Sequence, residues 1–515
     1  SSINAVGLNV GFTALESIDS LVCNNDWQSK AMGTIFWPLV YDQLWIMGPG
    51  PDYAPLPRLA EKWETRDHKT WRFFLNKNAR FHDGKPVTSE DVIFTLLYLP
   101  KADSEWNTRD TAIKEYKILD RETFEITMDL AHTGPYPPVY WKPILPKHIW
   151  KRYENNLIGF DNKKAIGSGP YKLKEFVVGE SLLLVRNEDY WGDRVGFDSI
   201  RFKSFNNSED MNIALKTGEV DILGYQGALQ SMARIFKETM GVKMIVSPGL
   251  ELNWLSFNLS KRSPLRDITV RRAILHAIDR EKIIGQVFDG NAKESNGFVF
   301  QELPEYNDKI TKYEYNANRA EKMLKEAGYV DNNQDGIRSN RKSGEDLAFI
   351  LMVPSVWSQQ LSMAKMIQKQ LQEIDLGIKL LEVNLDEYNN ALSNLSESAF
   401  DIAVVRREVG PHSDWIWNLM KNIEKEGKGW NISSYENPAF DKIADRMMVE
   451  LDVAKRKRYY DLMQDILADD LPYAMLVRPY VISPVREDKI EGYVVTMGGI
   501  STRINPWTYL RARLK

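Results

Sequence analysis

The sequence predicts a mixed α/β protein with more than one domain. Apolar residues alternate between a strand-like and a helix-like period along the chain, which favours strands and helices that follow one another. The 515 residues are too many for one hydrophobic core, and about 100 to 200 residues per domain gives roughly three lobes. A hydrophobic content of 43% with 27% charged residues is typical of a globular protein.

Helix signals combine N-cap residues with apolar residues at helical spacing. One helix is predicted to begin after Asp267, with an apolar face formed by Val270, Ala273, Ile274 and Ala277. Similar N-caps are predicted at Asp279, Asn316 and Asn437. A further long helix is predicted to end before Pro472, with an apolar face formed by Leu462, Met463, Ile466 and Leu467.

Short apolar runs predict strands between these helices. The runs are 124–130, 182–185, 254–258, 348–353, 402–405 and 474–477. We find no internal repeat and no low-complexity tract. Long helices mixed with short, separated strands exclude a pure sandwich, a bundle and a solenoid.

Charge and apolar runs restrict the functional class. The 67 Lys and Arg residues against 71 Asp and Glu give a net charge of -4, so nothing favours nucleic acid or an anionic membrane as a partner. No apolar stretch of about 18 residues predicts a membrane span. The start lacks the charged and apolar regions of an export signal, so we expect any such signal to have been removed. Cys23, the only cysteine, is interpreted as a buried apolar side chain, and a lipid anchor on the intact precursor stays open.

Five segments carry a more specific signal. The first, RFHDGKPVTSEDVIFTL at 80–96, predicts a strand, a tight turn and a capped helix. The second, GSGPYKLKEFVVGESLLLVRNEDYWG at 167–192, predicts a turn followed by strands. The other three are WLSFNLSKRSPLRDITVRRAILHAIDREKII from 254, YNANRAEKMLKEAGY at 315–329 and AFDIA at 399–403.

In this order, the five segments resemble those of the peptide/nickel (oligopeptide/dipeptide-binding, family 5) solute-binding proteins of ABC importers. The resemblance implies a bilobal periplasmic-binding-protein type II fold of the large, cluster C kind, with an extra subdomain in lobe one. It places lobe one at 1–37, 166–256 and 482–515, the inserted subdomain at 38–165 and lobe two at 257–481. Most signature residues are expected to be structural.

The resemblance also implies a function. Such a protein captures a solute between two closing lobes at the periplasmic or extracellular face of the membrane and delivers it to the permease subunits. It is expected to be a monomer that needs no cofactor, binds no nucleic acid and catalyses no reaction. An oligopeptide is the first expected ligand, and a β-linked oligosaccharide is the alternative.

In peptide-binding members, an acidic residue after the Phe-Asp-Ile-Ala strand holds the α-amino group of the peptide. Glu408 lies near that place, and a surface salt bridge is its other interpretation. The usual Gly-Trp is replaced by Arg406-Arg407, and Arg406 can either neutralise Glu408 or receive a carboxylate of the ligand.

Tryptophans provide the argument for the oligosaccharide, because flat aromatic faces suit sugar rings. The chain has 15 of them. The resemblance implies that seven lie in or beside segments that face the cleft: Trp27, Trp37, Trp45, Trp254, Trp357, Trp415 and Trp417. The candidates for ligand contact are Trp27, Trp37, Trp254, Trp415 and Trp417, with Trp254 and Trp415 first. Packing in the hydrophobic core is the competing interpretation of each.

One turn has part of a calcium-loop pattern. Asp331, Asn333 and Asp335 occupy its first, third and fifth positions, but Lys342 stands where the loop needs a glutamate. A polar turn is therefore the favoured interpretation. The 6 histidines show no HxxxH or HxH spacing, so no metal centre of several histidines is predicted.

An enzyme that processes glycosides or peptides is the alternative class of protein. Carboxylates are numerous, so a glycosidase pair stays open. The sequence has no G-x-S-x-G, Walker, dinucleotide or HExxH motif. Five ordered segments of a solute-binding family outweigh the mere presence of acids.

Overall fold

The fold is described from a computed structural model. The residues described are 7–13, 37–50, 52–102, 112–129, 137–139, 142–154, 162, 164–224, 233–410, 413, 415–416, 431–501 and 505–515. The chain divides into two compact units: Ser1–Ser247 with Val481–Lys515 form unit one, and Pro248–Tyr480 form unit two. The mixed α/β class and the bilobal division agree with the predicted fold class. The inserted subdomain at 38–165 and the predicted lobe boundaries stay predictions.

Helices and strands alternate through both units. The helices are α1 Ser89–Ala102, α2 Lys147–Trp150, α3 Ser208–Thr217, α4 Ala233–Lys237, α5 Ile268–Ala277, α6 Arg280–Val287, α7 Ala317–Glu326, α8 Ser358–Gln372, α9 Leu385–Ser393, α10 Pro438–Met447, α11 Val453–Asp470 and α12 Trp507–Arg511. Short 3-10 turns lie at Lys151–Tyr153 and Pro264–Arg266.

The strands are given in chain order. They are β1 Leu8–Phe12, β2 Trp45–Met47, β3 Pro55–Pro57, β4 Ala60–Thr65, β5 Thr70–Leu75, β6 Ile113–Ile118, β7 Thr123–Met128, β8 Tyr171–Val177, β9 Ser181–Arg186, β10 Ser199–Ser204, β11 Ile222–Leu223, β12 Val242–Pro248, β13 Glu251–Phe257, β14 Ala292–Glu294, β15 Tyr329–Val330, β16 Ser339–Asn340, β17 Ala348–Pro354, β18 Gly377–Val383, β19 Ile402–Glu408, β20 Tyr473–Arg486, β21 Ile490–Glu491 and β22 Arg513–Leu514.

The two larger sheets of unit one have separate hydrophobic cores. The first has the order β11-β1-β10-β9-β8, in which β1 runs parallel to both β10 and β11. The second has the order β4-β5-β7-β6. Phe73 and Phe124 stack in its core with ring centroids 5.3 Å apart, and Val92 and Leu96 of α1 are buried in the same core. The segment 80–96 therefore forms part of the second core.

The first two signature segments contact each other. The His82 N–H donates to the Gly167 carbonyl at 2.7 Å, and the Gly167 N–H donates to Nδ1 of His82 at 3.2 Å. Gly167 also lies against the backbone, since a Cβ there would be 2.0 Å from the carbonyl oxygen of Val40. The glycine of this signature is thus required by close packing.

Burial makes the His82 contact sensitive to pH. It lowers the pKa of His82 from 6.5 to about 4. The neutral ring fits its contacts, because Nδ1 accepts a hydrogen bond and Nε2 lies 3.1 Å from the Gly169 carbonyl oxygen. An unfolded histidine titrates near 6.5, so this contribution to stability is complete above that pH and is lost as the pH falls towards 4.

Unit two is built around one sheet with helices packed on it. Its strand order is β18-β17-β19-β13-β20, and β14 also pairs with β20. β13 lies between two antiparallel neighbours, β19 and β20. The core beneath the helices is apolar and contains Leu255, Val270, Ile274, Leu351 and Ile367.

Local sequence signals placed the helices of unit two correctly. The four predicted N-caps all accept a backbone N–H with their side chains: Asp267, Asp279, Asn316 and Asn437. One predicted apolar position is wrong. Leu462 is 47% exposed, because α11 buries only a narrower stripe that includes Met463 and Leu467.

The last predicted strand is much longer than expected. The apolar run 474–477 is part of β20, which continues from Tyr473 to Arg486 through two prolines. Pro479 lacks an N–H, but it still lies opposite Ala292 of β14, and its carbonyl accepts from the Gly249 N–H at 3.1 Å. The two prolines therefore remove two backbone N–H donors from the strand, but the strand continues past them.

Candidate ligand-binding site

Strands β19 and β13 bring several predicted site residues together in unit two. Leu252 lies opposite Arg407, and Asn253 lies opposite Arg406. Because successive side chains of a strand point to opposite faces, Trp254 and Arg407 share one face, while Arg406 lies on the other. We name these the aromatic face and the polar face.

On the aromatic face, four rings form an aromatic cluster centred on Phe298. The Phe298 ring centroid lies 5.6 Å from Trp254, 5.6 Å from Tyr473 and 5.9 Å from Trp415, each in an edge-to-face arrangement. Trp254, Phe298 and Tyr473 are buried, and Trp415 is partly exposed. The structure thus brings the two first tryptophan candidates, Trp254 and Trp415, into contact with one phenylalanine.

The indole of Trp254 has an unsatisfied polar group. The residue is 0% exposed, and its Nε1 has no hydrogen-bond partner among the described residues. The Oγ of Ser413, two residues before Trp415, is also buried without a partner in that part of the chain. A buried Trp N–H usually finds an acceptor, and one without an acceptor costs about 1–3 kcal/mol.

Arg407 is the charged residue of the aromatic face. Burial lowers the pKa of its guanidinium to about 9, against the opposing effect of the nearby hydroxyls of Tyr388 and Tyr473. The Tyr388 hydroxyl donates to the Val404 carbonyl at 2.8 Å, which fixes that ring beside β19. A partly buried cation therefore lies near the aromatic cluster.

The polar face has a different arrangement. Arg406 is ion-paired with Glu251, its Nε lying 2.6 Å from Oε2. Asn253 and Gln360 donate to Oε1 of the same carboxylate at 3.0 and 3.4 Å. Glu408 lies directly opposite Glu251 in the register, so Arg406 stands beside two carboxylates of adjacent strands. The two partners considered for Arg406 from the sequence were Glu408 and a carboxylate of the ligand. The structure shows a different partner, Glu251.

The remaining predicted contacts lie elsewhere. Trp37 is buried in the hydrophobic core of unit one. Trp27 and Trp417 lie outside the described residues. Sequence reasoning missed Phe298 and Tyr473, and it did not place Arg407 on the same face as Trp254. The available signal for Arg407 was strand alternation, which places the side chains of Arg406 and Arg407 on opposite faces of β19.

The calcium-like turn is closed by its own side chains. Asp331 accepts the N–H of Gln334 at 2.7 Å with one carboxylate oxygen and that of Gly336 at 3.0 Å with the other. Asp335 accepts the N–H of Ile337 at 2.8 Å. These contacts are those of a polar turn, the interpretation favoured from the sequence, and calcium binding stays the untested alternative.

Three further observations concern other kinds of site. Phe298 and Tyr473 line a cavity of about 20 Å³, room for about one water molecule and too small for a ligand. In the described ranges, no three His, Cys, Asp or Glu residues gather as metal ligands. No described helix combines the length and apolar composition needed to cross a membrane.

Comparison with known proteins gives consistent matches. Residues 54–426 match the profile of the bacterial extracellular solute-binding proteins, family 5 Middle. The oligopeptide-binding protein AppA of Bacillus subtilis (strain 168) is 27% identical over 448 residues, which cover 81% of this chain and 77% of AppA. The dipeptide-binding protein of Escherichia coli (strain K12) is 24% identical over 465 residues, which cover 85% of this chain and 84% of that protein.

A solved structure shows the same fold. Bacillus subtilis AppA in complex with a nonapeptide matches with a TM-score of 0.75 at 23% identity, covering 99% of this chain and 98% of that chain. The match of residues 54–426 to the family profile makes the protein a solute-binding protein by class. Because the family profile spans more than half of the chain, it belongs to the bacterial extracellular solute-binding proteins of family 5.

Proposed function

We propose that this protein is the extracytoplasmic solute-binding component of an ABC importer and that its ligand is a peptide. Family membership supports the solute-binding role, and the two relatives described above are named for an oligopeptide and a dipeptide. Closure of two lobes on the peptide, delivery to a permease and a monomeric state belong to the same proposal. They rest on the family resemblance.

The main observation in favour of a peptide ligand is the buried, unpartnered N–H of Trp254 within the aromatic cluster. A peptide carbonyl is a strong acceptor that can satisfy this donor, and an apolar side chain of a peptide can pack on the partly exposed Trp415. Satisfying the donor would recover about 1–3 kcal/mol that the free protein loses. Because Trp254 is fully buried, we propose that the partly exposed Trp415 moves to admit the peptide.

The oligosaccharide alternative gains no support from the relatives. The aromatic cluster also gives no reason to prefer it. Trp254, Phe298 and Tyr473 pack edge-to-face on one another and are buried, so none of these three presents an open ring face to a sugar.

Binding without catalysis is part of the proposal. The family is one of solute-binding proteins, and the site described above needs no chemical step to act. A ligand that changes the ratio of closed to open protein from 1:99 to 99:1 must favour the closed form by about 5.5 kcal/mol. A few buried contacts supply this difference in affinity.

A thermal-unfolding screen tests the proposal. The ligands are di- to hexapeptides and, as the competing class, β-linked oligosaccharides. A ligand at 100 times its dissociation constant stabilises the folded state by about 2.7 kcal/mol. We expect peptides to raise the unfolding temperature and to be recovered intact.

The matched variants are Trp254→Phe and Trp45→Phe. Both tryptophans are buried, but Nε1 of Trp45 already donates to the Pro138 carbonyl at 3.1 Å in unit one. We expect Trp254→Phe to weaken peptide binding and Trp45→Phe to leave it unchanged. Stabilisation by oligosaccharides alone, or cleavage of the added peptide, would contradict the proposed function.

A further inference from the structure

We propose that the segment 298–302 couples peptide binding at the aromatic cluster to the two places where the chain leaves unit two, with Arg478 as the positioning residue. This inference rests on the proposed function, because it requires a peptide at the aromatic cluster. The chain leaves unit two before Pro248 and after Tyr480. We name residues 248–251 and 477–480 the exit segments.

Arg478 ties the two exit segments to each other. Its side chain is 2% exposed, and its Nε donates to the Gly249 carbonyl at 2.6 Å. In the opposite direction, the Gly249 N–H donates to the Pro479 carbonyl at 3.1 Å. Hydrogen bonds from a charged donor are stronger than neutral ones, and a buried cation that loses its partners is costly. The guanidinium therefore holds the exit segments together at this point.

The segment 298–302 holds the same guanidinium. Nη1 of Arg478 donates to Oε2 of Glu302 at 2.5 Å, and its Cζ lies 3.8 Å from the centroid of the Phe300 ring. Glu302 also pairs with Lys293, which lies opposite Arg478 in the register of β14 and β20. Like charges that lie opposite each other destabilise a strand pair, so Glu302 stabilises this pair by contacting both. We name Arg478, Phe300 and Glu302 the clamp.

The segment that forms the clamp begins in the aromatic cluster. Phe298 contacts the other three rings of that cluster, and Phe300 of the clamp lies two positions further along the chain. Residues 298–300 are at most 4% exposed, so they are enclosed by other groups. Close-packed interiors transmit small displacements. A peptide that changes the packing around Phe298 would therefore also change the contacts of the clamp.

A coupling of this kind has two consequences. Peptide binding should restrict the motion of the exit segments, and a weakened clamp should lower the affinity for peptide, because coupling between two sites is reciprocal. Couplings between sites in proteins typically change an affinity by about 5- to 150-fold. The clamp would thus alter peptide binding without contacting the peptide.

Hydrogen exchange with and without peptide measures the motion of the exit segments. The peptide is one that raises the unfolding temperature in the screen described above. The reporters are the N–H of Gly249 and the N–H of Tyr480, which donates to the Asn291 carbonyl at 2.8 Å. The reference is the N–H of Asn316, which donates to the His276 carbonyl at 2.7 Å in the same unit. We expect peptide to slow exchange of the reporters about 10-fold more than that of the reference.

The variant Glu302→Gln removes one charge of the clamp and leaves every ring of the aromatic cluster in place. We expect it to weaken peptide binding about 10-fold in isothermal titration calorimetry and to abolish the additional slowing at the reporters. Glu321→Gln is the matched control, because Glu321 is likewise a carboxylate partner of a buried arginine, Arg338, elsewhere in unit two. It should change neither measurement.

Thermal unfolding shows whether each variant is folded. If Glu302→Gln does not fold, Phe300→Leu takes its place, because it removes the ring beside the guanidinium and keeps both charges of the clamp. We expect Phe300→Leu to weaken peptide binding about 3-fold and to reduce the additional slowing at the reporters.

The outcomes separate this inference from the proposed function. If peptide slows exchange equally at the reporters and at the reference in the wild-type protein, the inference is wrong and the proposed function stands. The same follows if the clamp variant matches the wild-type protein in both measurements, or if Glu321→Gln shows the same losses. If no peptide binds the wild-type protein, the proposed function fails, and this inference fails with it.

Discussion

The unpartnered indole of Trp254 can be tested without any ligand by comparing Trp254→Phe with Trp45→Phe. Both side chains are buried, at 0% and 1% exposure, and both substitutions remove the same atoms. The two changes therefore leave cavities of similar size, and the comparison largely isolates the N–H group. Nε1 of Trp45 donates to the Pro138 carbonyl, whereas Nε1 of Trp254 has no acceptor within the described ranges.

The expected difference follows from the cost of unsatisfied buried groups. Trp45→Phe breaks a hydrogen bond and leaves the Pro138 carbonyl without its donor, which costs about 1–3 kcal/mol. Trp254→Phe removes a buried donor that is itself unsatisfied, so part of its cavity cost is offset. We expect Trp45→Phe to lower the free energy of unfolding by about 2 kcal/mol more than Trp254→Phe does.

Urea denaturation of the ligand-free protein measures this difference. Circular dichroism follows the unfolding of the chain, and each variant is compared with the wild-type protein under the same conditions. Equal losses in the two variants would refute the reasoning, because they would show that the Trp254 N–H is already satisfied before any ligand binds.

Three further predictions concern the fold and the metal hypothesis. Lowering the pH from about 6.5 to 4 should reduce the free energy of unfolding by about 2 kcal/mol through His82, and His82→Asn should lose that part of the pH dependence in denaturation curves. An unchanged pH profile in the variant would contradict the role of this ring. Gly167→Ala should lower the free energy of unfolding by about 3 kcal/mol or more, because its Cβ would meet the Val40 carbonyl at 2.0 Å; wild-type stability in the same denaturation assay would be the opposing result. Millimolar calcium should leave the unfolding temperature unchanged, because Asp331 already accepts two backbone N–H groups; a rise that Asp335→Asn abolishes would instead support the calcium loop.

The sequence was most informative where local chemistry decides the structure. The N-caps were predictable because each cap and its helix lie within a few residues of each other, as Asp267 and Thr269 do. Segment 167–192 was recognisable as a signature, but the reason for Gly167 lies in its contact with Val40, far away in the chain. The length of β20 was missed because prolines normally interrupt strands, and only its pairing with β14 explains why this strand continues.

The candidate site was less predictable because it depends on long-range register. Alternation alone separates Arg406 from Arg407, but it cannot say which of them shares a face with Trp254. That assignment requires the pairing of β19 with β13, whose residues lie about 150 positions apart. The cluster around Phe298 is likewise formed by residues from four separate parts of the chain, so no local pattern indicated it.

The central claim is that this protein binds peptides without altering them. Isothermal titration calorimetry with di- to hexapeptides, followed by mass spectrometry of the released ligand, tests it most directly. The account predicts saturable binding of one peptide per chain, with a negative heat-capacity change from apolar burial and recovery of the intact peptide. Peptides that give no binding heat, or that are recovered as fragments, would contradict it.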